Sequence, residues 1–522
     1  MKQIVQKALE SAIKKMDIEI SVELTPSKGH ADFATNIAMK LASKLKKNPQ
    51  LIAKKIIENI EGDFIEKAEI AGPGFINIFL KENVLFSIVE KILNKGNNYG
   101  RGNESKYINV EYISANPTGY LHIGHARGAV LGSTLVNILK FAGNKVDSEY
   151  YINDAGNQMR VLAKSVKARY LQELGIDAKL PEVSYGGEDI KVVAKYFKEK
   201  YSDSMINKDS SEFQMEAKGL LLDEIKNQLA EYRVNIELYS SEQYIYDNNL
   251  IEPTLEKLKN HIYEKDGAKW LDTTSKGDDK DRVLVKTDGK YTYLTPDIAY
   301  HDIKLNRGYD ELINIWGADH IGYIKRMKVA LEYLGLENNK LDILIVQLVK
   351  LFKDGKELKM SKRMGTSFTI KELIQEVGVD AARWFMINRS NTSNFVFDIN
   401  HAIEKSSDNP VFSVQYTYAR ANQLIEKSTV KSSLGEYKEK EKEIINILSK
   451  FPEVIKRIST THKIHILPQY LLELCGEFNS WYSSIRIIGH ENETSLIALA
   501  KATKQVINNG LKLLGISTPN KM

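Results

Sequence analysis

Between residues 107 and 348, short β-rich runs alternate with longer helical ones, and this alternation constrains the fold more than any other feature of the chain. The runs at 107–113, 145–152, 311–316 and 341–348 are built from β-branched, aromatic and other apolar side chains, and helical periodicity follows at about 124–143 and 321–336. Strands that alternate with helices are joined by right-handed crossovers, so an α/β domain with a doubly wound parallel sheet is expected over 105–399. Residues 175–264 turn polar and helical and are read as an insertion that lends no strand to the sheet. Upstream, residues 1–95 read as an α/β module, with a helical stripe through Ile4, Val5, Ala8, Leu9, Ala12, Ile13 and Met16, a strand at 18–24, a helix at 33–59 and a strand at 68–80. A Gly- and Asn-rich linker follows at 94–103, and after 400 only helical periodicity remains, which predicts an α-helical bundle over 400–522.

Composition narrows the class. The 522 residues are 43% hydrophobic and 27% charged, which suits packed cores, and 73 Lys and Arg against 68 Asp and Glu leave only +5, too little to argue a polyanion partner from net charge. Cys475 is the only cysteine, so no internal disulfide and no multi-thiolate zinc site can form, and a reducing, cytoplasmic setting is expected. The longest apolar run, near 344–351, is far below the ~20 residues a bilayer demands, so no membrane association is expected.

Two motifs carry chemistry. The run Ala115, Asn116, Pro117, Thr118, Gly119, Tyr120, Leu121, His122, Ile123, Gly124, His125 follows a strand and opens a helix, where free N–H groups attract phosphate. His122 and His125 share one face of the first turn, and Gly124 leaves room for a planar base. Two capping histidines in a tight turn are the plainer reading. Farther on, Lys359, Met360, Ser361, Lys362 and Arg363 lie between Gly355 and Gly365, a basic loop suited to closing over a triphosphate.

Together, His122-Ile-Gly-His125 and Lys359-Met-Ser-Lys362 resemble the paired signatures of class I aminoacyl-tRNA synthetases, which implies a split Rossmann-type sheet. The resemblance narrows to the bacterial-type arginyl-tRNA synthetase family through stretches at 110–119, 125–129, 151–158, 317–323 and 378–383, with 32–36 similar to that family's added N-terminal domain and 408–420 to the entry of its anticodon-binding bundle. It implies ATP-dependent ligation of L-arginine to tRNA(Arg) through an arginyl-adenylate, with Mg2+ accompanying ATP, no zinc, and a monomer. His122 and His125 are then expected to stabilise the α-phosphate, Lys359 and Lys362 the departing pyrophosphate, and Gly124, Asp319, His320, Met360 and Ser361 to bind ATP.

A guanidinium never deprotonates and has to be met by carboxylates. Tyr293 and Asp297 match the family's Y-x-T-x-D element and are expected in the side-chain pocket, with Glu111 as a second carboxylate and Asn116 on the substrate's α-amino or carboxylate end. For Glu111 a structural ion pair is the competing reading; for Asn153 and Asp154, helix capping competes with a place in the cleft. Pro296 stands where many relatives carry a basic residue. For tRNA, Tyr416, Tyr418, Arg420, Trp481 and Tyr482 combine rings with positive charge, although such rings more often serve a core. A class I synthetase for another amino acid, a small-metabolite nucleotidyltransferase and a catalytically dead RNA-binding paralogue remain as alternatives.

Overall fold

A computed structural model describes residues 2–25, 31–337, 340–358 and 368–522. The N-terminal module starts with α1 (Lys2–Lys14), β1 (Phe33–Thr35), α2 (Ile37–Leu45), α3 (Pro49–Asn59), β2 (Ile65–Ala71) and β3 (Phe75–Leu80), in an antiparallel sheet ordered β1-β3-β2. The single helix expected at 33–59 is thus a strand and two helices: Lys46 turns left-handed (φ 52°), and Pro49, capped by Asn48, starts a new helix. The strand expected at 68–80 is a hairpin that turns at Gly72 and Gly74, both at positive φ, while 18–24 forms no strand and only Thr25 bridges Ala34. Val5, Leu9, Ile37, Leu41, Ile52 and Ile78 fill this module's core.

Next come α4 (Glu82–Lys95), β4 (Tyr107–Glu111), α5 (Ile123–Phe141), β5 (Lys145–Ile152), α6 (Asn157–Glu173), α7 (Glu188–Tyr201), α8 (Gln214–Glu231), β6 (Leu238–Ser241), α9 (Glu242–Asp247) and α10 (Ile251–Leu258). They are followed by the antiparallel β7 (Ile262–Lys265), β8 (Ala268–Leu271) and β9 (Arg282–Val285), then α11 (Leu294–Leu305), β10 (Glu311–Gly317), α12 (Ile324–Tyr333) and β11 (Leu341–Val346). Among the described residues the central sheet is parallel throughout, in the order β11-β10-β4-β5-β6. The expected doubly wound sheet is therefore present, but the insertion does lend it a strand. β6 pairs Leu238 to Ser241 with Glu149 to Ile152, and its four half-buried, mostly polar residues are too short a run to announce a strand.

The chain continues through β12 (Val349–Lys353), β13 (Lys356–Glu357), α13 (Ile370–Ile387), β14 (Phe395–Asp398) and α14 (Ile399–Ile403) to the bundle of α15 (Pro410–Lys427), α16 (Glu439–Thr461), α17 (Ile466–Ser484) and α18 (Glu493–Leu514). The bundle and the central sheet share one core, which runs from Val110 and Leu135 through Trp384 to Leu448, Phe478 and Leu511. α4, within the range expected for the N-terminal module, contributes Ile88, Val89 and Ile92 to that same core and packs on α16 and α18.

Arg383 ties the pieces together. Its buried guanidinium donates to the carbonyls of Leu514 (2.8 Å), Tyr232 (2.8 Å) and Arg233 (3.2 Å) and to the Ser133 hydroxyl (3.1 Å), so α13, α5 and the ends of α8 and α18 meet on one cation. Burial pulls its pKa down to about 10, so it stays charged at neutral pH. Gly515 lies against it: at φ 69° a Cβ would stand 2.6 Å from Nη2. Gly515→Ala is therefore expected to destabilise the chain by about 2 kcal/mol through backbone strain and displacement of Arg383. A thermal midpoint equal to wild type in differential scanning calorimetry contradicts this role.

Candidate active site

The histidine turn sits where β4 ends and α5 begins. His122 is the N-cap residue: its Nδ1 accepts from the Gly124 amide (3.1 Å), and His125 Nδ1 accepts from the His122 amide (3.2 Å). The plainer capping reading is thus present, in the geometry that the phosphate reading also needs. With each Nδ1 used as an acceptor, a neutral ring carries its proton on Nε2. The rings lie 3.9 Å apart at 35°. A side chain at Gly124 would meet the His122 ring at 2.8 Å. The turn is fixed from outside by Asp189, which accepts the Tyr120 amide, and by Gln228, which accepts the Leu121 amide, each at 3.1 Å.

Lys359, Met360, Ser361 and Lys362 lie outside the described residues. Their described flank is informative, because His122 bridges Thr369, with Ile123 N–H donating to Phe368 O and Ile370 N–H to Leu121 O, both at 2.9 Å. The chain that leaves the basic loop is therefore hydrogen-bonded to the histidine turn. At the carboxyl end of the neighbouring β10, Asp319 and His320 sit exposed on one short helical turn, 3.5 Å from each other.

A second feature flanks the same sheet edge. Asp297, on the first turns of α11, has its carboxyl pushed up to about 8 by burial and by the charges of Glu242 and Glu111, with Tyr323 pulling it down. Glu242, the first residue of α9 and only 6% exposed, is raised to about 7 by burial and by Asp154. Among the described residues no cation draws either carboxyl back down. The buried Tyr151 hydroxyl, which feels Asp297, Glu242 and Glu111, has no hydrogen-bond partner among them either. Two crowded carboxyls that hold their protons toward neutral pH, beside an orphan hydroxyl, are groups that a bound cation would ionise.

Glu111 differs. Its two oxygens are taken by Lys304 Nζ (2.8 Å) and Ser114 Oγ (3.0 Å), so the second free carboxylate is Glu242 rather than Glu111. Reading the sequence missed Glu242; the signal was Ser241-Glu242, an N-cap and first helical residue directly after a strand, obscured because β6 itself was not seen. Tyr293 is 76% exposed at the start of α11, and Asn116 bonds Gln158 at the start of α6. Pro296 falls in the first turn of α11, where its missing N–H costs nothing. Asp154 is structural: it accepts from Ser241 Oγ (2.8 Å) and the Gln243 amide (3.0 Å) and pairs with Lys218 (3.0 Å), so it caps α9 instead of its own helix.

The bundle aromatics divide. Trp481, 1% exposed, donates Nε1–H to Glu441 at 2.6 Å, and Tyr418 is 7% exposed; both are core, because they lie on the inward faces of α17 and α15, and neither can stack on a base without unpacking the bundle. Tyr416 and Tyr482 remain accessible, with the Arg420 guanidinium 4.7 and 5.0 Å from their rings.

Known proteins match the chain along its whole length. The family model for the class I (R) tRNA synthetase catalytic domain matches residues 88–408, flanked by the arginyl-tRNA synthetase N-terminal domain at 1–80 and the DALR anticodon-binding domain at 414–522. The chain is 47% identical to an arginine–tRNA ligase of Mycoplasma mobile and 41% identical to one of Bacillus subtilis, in each case over 100% of this chain and 99% of the relative. The chain belongs to the class I arginyl-tRNA synthetases. The Thermus thermophilus arginyl-tRNA synthetase structure, 20% identical, has the same fold, with a TM-score of 0.80 over 100% of both chains.

The two raised carboxyls give this synthetase a pH signature. A carboxyl whose folded pKa lies above its unfolded one binds its proton more tightly in the folded chain, so its contribution to stability is lost as pH rises through the folded value. Asp297, moving from 3.8 to about 8, therefore disfavours the ligand-free fold increasingly between those pH values. Asp297→Asn is expected to match wild type in thermal midpoint near pH 4 and to exceed it at pH 8. A variant midpoint at or below wild type at pH 8 contradicts the assignment.

Proposed function

We infer that this chain uses ATP to activate L-arginine as its adenylate and passes the arginyl group to the 3′ end of tRNA(Arg), releasing AMP and pyrophosphate. The observation that carries the substrate choice is the pair of carboxyls without a cation, half-buried Asp297 and buried Glu242, the latter emerging from the same carboxyl edge of the sheet as the histidine turn. A guanidinium brings the missing positive charge and a planar set of donors, whereas an acidic or neutral side chain leaves the repulsion in place. Binding arginine ionises both carboxyls and removes the cost of crowding them.

The reaction asks for positioning and charge neutralisation, with no covalent nucleophile. The arginine carboxylate oxygen attacks the α-phosphorus, and the bond to the β-phosphate breaks with its electrons on pyrophosphate. Nε2–H of His122 and of His125 donate toward the α-phosphate as its charge redistributes, with the N–H groups of the α5 start behind them. Lys359 and Lys362 neutralise the departing pyrophosphate, and Asp319 with His320 lie toward the ATP ribose. The terminal hydroxyl of tRNA then attacks the arginyl carbonyl, and AMP leaves with the electrons of the broken bond. Mg2+ is expected on the nucleotide's phosphates; among the described residues no three His, Cys, Asp or Glu side chains gather as metal ligands. Tyr416, Arg420 and Tyr482 are the bundle residues that meet tRNA on this reading, which their accessibility supports. The family reading makes the chain a cytoplasmic monomer, and the single, buried Cys475 fits a reducing compartment.

Arginine-dependent exchange of pyrophosphate into ATP, run with and without tRNA, tests the reading; no arginine-dependent exchange under either condition contradicts it. His122→Ala is expected to lower the exchange rate by on the order of 10²-fold or more, with the KM for arginine held within about threefold. Unchanged turnover removes His122 from the phosphate role.

A further inference from the structure

Asp380 gathers three parts of the chain on one carboxylate. Gly378, at φ 76°, breaks α13, and Asp380 stands two residues beyond the break. Its Oδ1 accepts from Arg233 Nη1 (2.6 Å), just after α8, and from the Ser517 amide (3.0 Å), while its Oδ2 accepts from Gln415 Nε2 (2.8 Å) on α15 and from the Ser517 hydroxyl. The donors are also tied to one another, since Gln415 Nε2 donates to Ser517 O (3.0 Å) and Arg233 Nη1 to Gly515 O (2.9 Å). Burial raises the Asp380 pKa, but the contacts with Ser517 and Arg233 outweigh it, so the carboxyl is held below its ordinary value and stays ionised.

Apolar packing is non-directional, so the core that bundle and sheet share keeps them together without fixing how α15 is turned. Charge-assisted hydrogen bonds do fix direction. Gln415 is buried, and its neighbour Tyr416 is exposed with the Arg420 guanidinium 4.7 Å from its ring, so the clamp grips from inside the helix that shows an accessible ring and a cation outside. A ligand held at two separate surfaces gains from the second only when their spacing lets it reach both at once.

We propose that Asp380 is a positioning residue for tRNA: through Gln415 and Ser517 it sets α15 against the catalytic sheet, so that the bundle and the histidine turn engage the anticodon and the 3′ end of one tRNA together. The proposal rests on the reading of Tyr416 and Arg420 as tRNA contacts. Asp380 acts through α15, so the effect falls on tRNA and leaves arginine and ATP binding in place.

The test is steady-state arginylation by the full chain, with tRNA(Arg), arginine and ATP varied separately, for wild type, Asp380→Asn, Gln415→Met and Tyr416→Ala. Thermal midpoints and binding of the isolated anticodon stem-loop by fluorescence anisotropy accompany it. Asp380→Asn is expected to raise the KM for tRNA about tenfold, while the KM values for arginine and ATP and the Kd for the stem-loop stay within about twofold, because each end still binds alone and only the span between them is lost. Gln415→Met, which keeps the length of the side chain without its donor, shows the same pattern and decides the matter where Asp380→Asn does not fold. Tyr416→Ala is expected to weaken stem-loop binding. Unchanged tRNA KM in both clamp variants overturns the proposal. A loss of stem-loop affinity equal to the loss for whole tRNA, or equal losses toward all three substrates with a lowered midpoint, would mean a merely structural part and overturn it as well. Stem-loop binding that Tyr416→Ala leaves intact overturns the reading beneath it.

Discussion

A carboxylate taken out of water without a cation is costly by several kcal/mol, and a fold tolerates it only where something else supplies the charge. The contrast within this site is sharp. Glu149 is met by Arg307 and Ser240, and Glu111 by Lys304 and Ser114, whereas Asp297, which feels the charge of Glu242, and Glu242 itself are drawn down by no cation among the described residues. Internal cations balance the structural acids and leave the other two in deficit. On the proposed reading, that deficit is what a permanent cation would fill.

The sheet gathers the candidate groups on one edge. Parallel strands place all their carboxyl ends on one edge, so the histidine turn after β4, the Asp319–His320 turn after β10 and Glu242 after β6 emerge on the same side without being close in sequence. The bridge between His122 and Thr369 adds the end of the basic loop to that edge. At a distance, Arg383 and the shared core make the anticodon bundle continuous with the catalytic sheet, so packing alone couples the two without a flexible joint between them.

Legibility followed the length and periodicity of each segment. β5 and α5 were readable to within about two residues because long apolar runs leave little choice of face. β6 was not, since four half-buried residues, two of them serines, carry no pattern. The same blind spot hid Glu242, while Glu111, in a longer strand, was legible and shows the ion pair of its competing reading. Lys304 shows why: a lysine on a helix reads as solvated, and only the fold reveals that its ammonium lies against Glu111. Trp481 and Tyr418 failed as stacking platforms for a related reason, because aromatic residues near basic ones in sequence point inward when the helix stripe does. The histidine turn was legible because its chemistry and its capping geometry need the same residues at the same spacing.

Proton release on substrate binding tests the central claim most directly. L-arginine is titrated into the chain by calorimetry at pH 7 in two buffers of different ionisation enthalpy, with L-citrulline, its uncharged isostere, as the comparison. With the two carboxyls resting at about 7 and about 8, arginine binding is expected to expel on the order of one proton, and citrulline to bind far more weakly without expelling any. Equal affinity for the two ligands, or a heat for arginine that does not change with buffer, contradicts the account.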